Sequence, residues 1–93
     1  MFEWDSQKNE ANRIKHGISF ENAQCIFSGL VLKGVDDRFD YRETRYRAIG
    51  LLEDVVIVVI YTVRRDKIRL ISARLANKRE RTQYYDSVGR TAE

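Results

Sequence analysis

From Val55 to Val63 almost every residue is β-branched or aromatic (VVIVVIYTV), the most apolar run in the chain. A run without polar alternation reads as a strand buried on both faces. Arg64-Arg65-Asp66-Lys67 interrupts it. Ile68 to Arg74 then alternates at first, with Ile68 and Leu70 on one side and Arg69 on the other. The pattern predicts a β-hairpin at the centre of a sheet, with arginines at its turn and along its second strand. Arginines on a central strand need partners or a task.

The remaining segments fall around this hairpin. Phe2-Glu3-Trp4 is a short edge strand, and Asp5 caps a helix over Ser6 to His16. Ala11 and Ile14 are that helix's apolar positions, flanked by Trp4 and Ile18, and Gly17 terminates it. Ser19 caps a second short helix whose apolar stripe is Phe20, Ala23, Ile26 and Phe27. Leu30 to Val35 is a strand, Asp36 to Tyr41 a charged connection, and Glu43 to Leu52 the next strand. Glu53-Asp54 turns into the central run. Asn77 caps a last helix with Glu80 as its capping-box partner, and Tyr84, Tyr85 and Val88 form its apolar side. A frayed tail covers Gly89 to Glu93. The order β-α-α-β-β-β-β-α predicts one α+β domain over residues 1–93, a small antiparallel sheet with helices packed on one face.

Register adds a functional hint. If Glu53-Asp54 and Arg65-Asp66 are both two-residue loops, Leu52 pairs with Val55 and Arg64 with Lys67. One sheet face then carries Glu43, Arg45, Arg47, Ile60, Thr62, Arg64, Lys67 and Arg69. The other carries Tyr46, Ala48, Gly50, Ile57, Val59, Tyr61, Val63, Ile68, Leu70 and Ser72, a core for helices to cover. Arg74, at the strand end, falls on the core side unless a bulge or a reach around the sheet edge redirects it. A cationic sheet face suits a polyanion, because arginine forks match phosphate oxygens. The bland alternative is a cross-strand lattice, with Glu43 paired to Arg64 and the other arginines solvated.

Composition narrows the classes. The 93 residues carry a formal charge of +3, one cysteine and one histidine. Cys25 alone excludes an internal disulfide and reads as a small core residue. No apolar segment approaches the ~20 residues of a membrane span. The N-terminus does not read as a signal peptide, so the expectation is a soluble cytoplasmic protein. His16 suits proton transfer, and equally suits a helix C-terminus, where an imidazolium meets the dipole. Asp36, Asp37 and Asp40 match no cation loop and read as a solvated turn. No Gly-rich phosphate loop, zinc pattern or other cofactor motif is present.

Phe2-Glu3-Trp4-Asp5, Lys8, Asn12, Lys15-His16-Gly17 and Ser19-Phe20-Glu21 resemble the start of the BrnT family of bacterial toxins. The resemblance continues through Asp40-Tyr41, Glu43, Arg45 and Ile49-Gly50. It is strongest in Tyr61-Thr62, Arg64, Ile68-Arg69, Ile71-Ser72-Ala73-Arg74, Ala76, Glu80-Arg81 and Tyr84. The family often has glycine where this chain has Arg42, which leaves the local backbone open. The resemblance implies a RelE-like ribonuclease fold and a type II toxin–antitoxin system. It implies a BrnA-like antitoxin with a ribbon-helix-helix DNA-binding part, and operator DNA bound only by the complex. It also implies RNA cleavage that stops translation, with the ribosome as a further candidate partner.

The expected chemistry is metal-independent RNA cleavage without a cofactor. Arg64 and Arg69 would stabilise the phosphorane, with His16, Glu43 or Glu80 as acid or base. Arg45, Arg47, Lys67 and Arg74 would bind RNA. Two other classes stay open: a non-catalytic module binding nucleic acid or an acidic partner through the same face, and a structural partner whose basic face only receives its antitoxin.

Overall fold

The chain builds one sheet, seen in a computed structural model that describes residues 1–38, 40 and 42–92, with backbone alone for residues 90–92. Phe39 and Tyr41 of the expected connection, and Glu93 of the expected tail, lie outside the described residues. The elements are β1 (Phe2–Glu3), α1 (Ser6–His16), α2 (Phe20–Ala23), a 3-10 helix (Gln24–Ser28), β2 (Leu32–Asp36), β3 (Arg45–Leu52), β4 (Val55–Arg64), β5 (Lys67–Leu75) and α3 (Lys78–Ala92). Helix α3 passes through Gly89 rather than stopping there. No described helix is long and apolar enough to cross a membrane.

The strand order is β1-β5-β4-β3-β2. All neighbours are antiparallel except β1 and β5, which run parallel, so the sheet is mixed rather than antiparallel. No hairpin joins β1 to β5. The chain leaves β1 through two helices, and β1 is free to lie along the outer edge of β5 in the other direction.

Both hairpin loops have two residues. Glu53, Asp54, Arg65 and Asp66 all have positive φ, between 49° and 69°. Paired positive φ values define the type I′ turn, whose twist matches that of the flanking strands. The register at both loops is therefore the one assumed from sequence, with Leu52 opposite Val55 and Arg64 opposite Lys67, and it holds along β5 as far as Leu70. Arg42 also sits at φ 61°, a conformation glycine adopts without steric cost. Its N–H donates to Asp40 Oδ1 at 3.1 Å.

Helices cover both sheet faces, not one. Ile57, Val59, Tyr61, Leu70 and Ala73 pack under Ile18, Phe20, Ala23 and Ile26. On the opposite face Ile49, Val56, Val58 and Ile60 pack under Tyr84 and Ala76. The cause is β4 itself, whose residues Val56 to Thr62 are buried throughout. A strand apolar on both faces needs a cover on each. Tyr85, expected on the inner side of α3, is 50% exposed.

Helix α1 does not dock through Ala11 and Ile14; Ile14 is 72% exposed. It docks through buried Asn12. The Asn12 amide donates to Ile18 O and Ala73 O, both at 2.9 Å, and the Ala73 N–H donates to Asn12 Oδ1 at 3.1 Å. At this place the helix meets a strand edge, where backbone groups need partners more than an apolar surface. Cys25 is exposed rather than buried, because the 3-10 helix turns its neighbour Ile26 inward instead.

Gly50 marks the tightest contact between sheet and helices. A Cβ there would lie 2.9 Å from Ile26 Cβ and 3.1 Å from Val31 Cγ1. Gly50→Ala is expected to cost about 1–3 kcal/mol, the usual range for overpacking. Thermal unfolding checks this, and an unchanged midpoint would show that the contact relaxes freely.

Candidate functional site

Helix α3 crosses only part of its sheet face. It starts beyond the end of β5 and reaches the segment leading into β2, where the Tyr84 hydroxyl donates to Leu30 O at 3.0 Å. The half of the face nearer the β4–β5 turn stays open, and polar and charged side chains fill it.

The register arranges them in rows across the sheet. One row runs Glu3, Arg69, Thr62, Arg45 and Asp36, from β1 to β2. On the turn side lie Lys67, Arg64 and Glu43. On the α3 side lie Ser72, Ile60, Arg47 and Gly34. Arg74 follows, opposite Val58. It reaches this face because of a bulge: Ile60 pairs with Ser72 while Tyr61 pairs with Leu70, leaving Ile71 as the extra residue. The bulge reverses the alternation of β5. It moves both Arg74 and Ser72 off the core side, where the uninterrupted register had put them.

The open half is a lattice of ion pairs with an excess of cations. Glu43 accepts from Arg64 at 3.1 Å and from Arg45 at 3.4 Å. The Arg69 guanidinium donates to Glu3 at 3.4 Å. Arg74 donates two bonds to Glu80, at 2.8 and 2.9 Å, the fork arrangement favoured by arginine. Asp36 is buried and accepts two bonds from Arg38, at 2.7 and 3.2 Å, so it is no solvated turn residue. Thr62, also buried, donates to Thr44 O at 2.7 Å. Arg45, Arg47, Arg64, Lys67, Arg69 and Arg74 outnumber Glu3, Asp36, Glu43 and Glu80.

Electrostatics follow from these pairs. The Arg64 hydrogen bond, then Arg45, holds the Glu43 carboxyl below its ordinary range. The Arg38 pair does the same for Asp36, and the Arg74 fork for Glu80. All three carboxylates stay ionised at neutral pH and serve as anchors for arginines.

Glu80 has a second duty as the expected capping box. It accepts from Asn77 N at 2.9 Å, and its own N–H donates to Asn77 Oδ1 at 2.8 Å. Since the folded-state pKa of Glu80 is lowered, its contribution to stability is present above about pH 4.5 and is lost as pH falls through the folded value. Glutamine keeps the capping box but loses the charge. Glu80→Gln is therefore expected to melt below wild type at pH 7, with the gap closing toward pH 3. Melting curves across that range test it; a constant gap would assign the loss to packing.

The sequence candidates do not all come together. Arg64, Arg69, Glu43, Arg45 and Lys67 share the open half-face, and Arg47, Arg74 and Glu80 adjoin it. His16 lies elsewhere. It ends α1, in the helix layer against the opposite sheet face. Its neighbour Gly17 lines a depression with Leu52, Glu53 and Val55, at the far end of β4 from Arg64. Ten residues of strand span roughly 30 Å. The lattice members Glu3, Asp36 and Arg38 were missed. Asp36 follows the predicted strand directly, but Glu3 meets Arg69 only through the parallel β1–β5 contact, which no local pattern signals. Among the described residues no three His, Cys, Asp or Glu side chains gather as a metal site.

A family model described as the ribonuclease toxin BrnT of type II toxin–antitoxin systems matches residues 4–80. No curated protein matches the chain.

Proposed function

The chain belongs to the BrnT family of ribonuclease toxins of type II toxin–antitoxin systems, and from that premise we propose that the open half-face binds and cleaves RNA without a metal ion. The observation that supports this reading is the convergence of Arg64, Arg69, Arg45 and Glu43 on an uncovered sheet face around buried Thr62. In this reading the ribose 2′-hydroxyl attacks the adjacent phosphorus. The O2′–P bond forms, the P–O5′ bond breaks, and a 2′,3′-cyclic phosphate remains. Glu43, whose bonds from Arg64 and Arg45 are longer than those on Glu80 and whose side chain stays 28% exposed, takes the 2′ proton and returns it through a water on the open face to the leaving O5′. Arg64 and Arg69 neutralise the phosphorane, a role preorganised cations fill well. Arg45 and Lys67 hold the strand alongside. Glu80 acts as a positioning residue for Arg74, since both its oxygens are already engaged. His16 takes its place at the end of α1, beside the helix dipole.

A type II system implies an antitoxin that neutralises the toxin. A BrnA-like partner with a ribbon-helix-helix part would bind operator DNA in the complex and repress the operon. Free toxin would act on cytoplasmic RNA and stop translation.

The test is incubation of purified chain with a defined RNA in excess EDTA, followed by mapping of the ends. Cyclic-phosphate ends are expected. Cleavage only after metal addition would overturn metal independence. A second reading draws on the lattice itself: Glu3, Glu43 and Glu80 already pair with Arg69, Arg64 and Arg74, as they would on a surface used only for binding. Intact RNA, both alone and with translating ribosomes, would favour it.

A further inference from the structure

We propose that a second nucleotide subsite lies in the cleft where α3 crosses β2 and β3, with Arg47 holding a phosphate and the Gln83–Asp86 edge of α3 facing a base. The inference rests on the RNA reading above and adds where the strand goes after the reaction rows.

The cleft has a volume of about 430 Å³ and is lined by Leu32, Lys33, Arg47, Gln83, Asp86 and Ser87. It is a shallow, open depression rather than an enclosed pocket, a shape that suits a strand lying across the surface. Its floor is Arg47. The neighbouring edge-strand residue is Gly34, and the Arg47 guanidinium lies 3.9 Å from where a Gly34 Cβ would be. The missing side chain leaves the guanidinium uncovered. Asp36 and Glu80 are near enough to feel the charge of Arg47, but each is already engaged, by Arg38 and Arg74 respectively. Arg47 itself is in no ion pair among the described residues. In this proposal the half-buried guanidinium, with both of those carboxylates committed to other arginines, meets the phosphate of the bound strand.

The α3 edge supplies a different chemistry. Gln83 and Asp86, three residues apart, share one side of the helix. Both are exposed, and neither side chain has a hydrogen-bond partner among the described residues. An amide offers a donor and an acceptor, and a carboxylate accepts from exocyclic amino groups, which is how base edges are read. The path is continuous. Arg47 is two residues along β3 from Arg45, about 7 Å, so a strand lying on the reaction row reaches the cleft without leaving the face.

The test uses 2′-O-methylated, fluorescently labelled dinucleotide and homohexanucleotides, which bind but cannot be cleaved at the 2′ position. Anisotropy titrations read the extra affinity of hexanucleotide over dinucleotide and its salt dependence. Arg47→Ala is expected to reduce that extra affinity about tenfold, the loss of one charge-assisted bond. The slope against salt should fall by about one. Asp86→Asn and Gln83→Ala are expected to change the ranking among A, C, G and U hexamers. If Arg47→Ala fails to fold, Arg47→Lys reads the same quantity, with part of the affinity lost and the salt slope kept. Hexamer binding that all these substitutions leave unchanged overturns the subsite alone. Wild-type chain that binds neither length overturns the RNA reading together with it.

Discussion

Alanine at both Arg64 and Arg69 is expected to reduce RNA cleavage to background while leaving the fold intact. Losing one preorganised donor to a developing oxyanion costs about 10²–10³ in rate, and each arginine is assigned a share of that magnitude. The double variant will not simply multiply the two losses, because groups acting on one charge are not independent. Stability should hardly change. The Arg64 side chain is 54% exposed in its pair with Glu43, and Arg69 is 30% exposed in its pair with Glu3. Pairs of this kind contribute at most about 1 kcal/mol. Circular dichroism melts run beside the cleavage assay separate the two effects. Lysine at the same positions refines the result: it keeps the charge and loses the planar fork. Partial recovery with lysine would favour simple charge neutralisation, and none would favour fork geometry. A double alanine variant that still cleaves at the wild-type rate would remove both residues from the site.

The largest loss of stability is expected at Asn12. Its carboxamide serves three backbone groups, Ile18 O, Ala73 O and the Ala73 N–H, all in the interior. Asn12→Ala leaves these groups without a partner, and each buried orphan costs about 1–3 kcal/mol. The sum, roughly 3–5 kcal/mol, is a large fraction of the ~5–15 kcal/mol that holds a domain together. The melting midpoint should fall by about 15 °C or more. Asn12→Leu removes the hydrogen bonds without leaving a cavity. A leucine variant as unstable as the alanine variant assigns the loss to the backbone partners. Recovery with leucine would assign it to packing. Function would suffer indirectly, since Asn12 ties α1 to the strand that carries Arg69 and Arg74.

Both predictions turn on how far local pattern reaches. The central strand, the two-residue loops, the Asp5 and Asn77 caps and the Phe20–Ile26 stripe were legible because each depends on neighbours in sequence. The pairing of Glu43 with Arg64 was legible too, since a two-residue hairpin propagates its register along both strands. Asn12 was not. In the sequence it had a place in the family resemblance but no place in the core, and only the unfilled edge of β5 makes it a core residue. Ala11 and Ile14 failed for the same reason.

By itself the sequence determined an α+β chain around one doubly buried strand, a cationic hairpin and membership of a toxin family. The first two follow from periodicity and turn chemistry, which act over a few residues; the family rests on the resemblance of the residues themselves and on the family match over residues 4–80. The tertiary structure decided the rest: that helices cover both faces, that α3 leaves half of one face open, and that the bulge at Ile71 brings Arg74 to it. It also decided that Glu3, Asp36 and Glu80 anchor the arginines, while His16 stands at the other end of the sheet. Each of these depends on contacts between residues far apart in sequence, formed only when the strands pair and the helices choose a face.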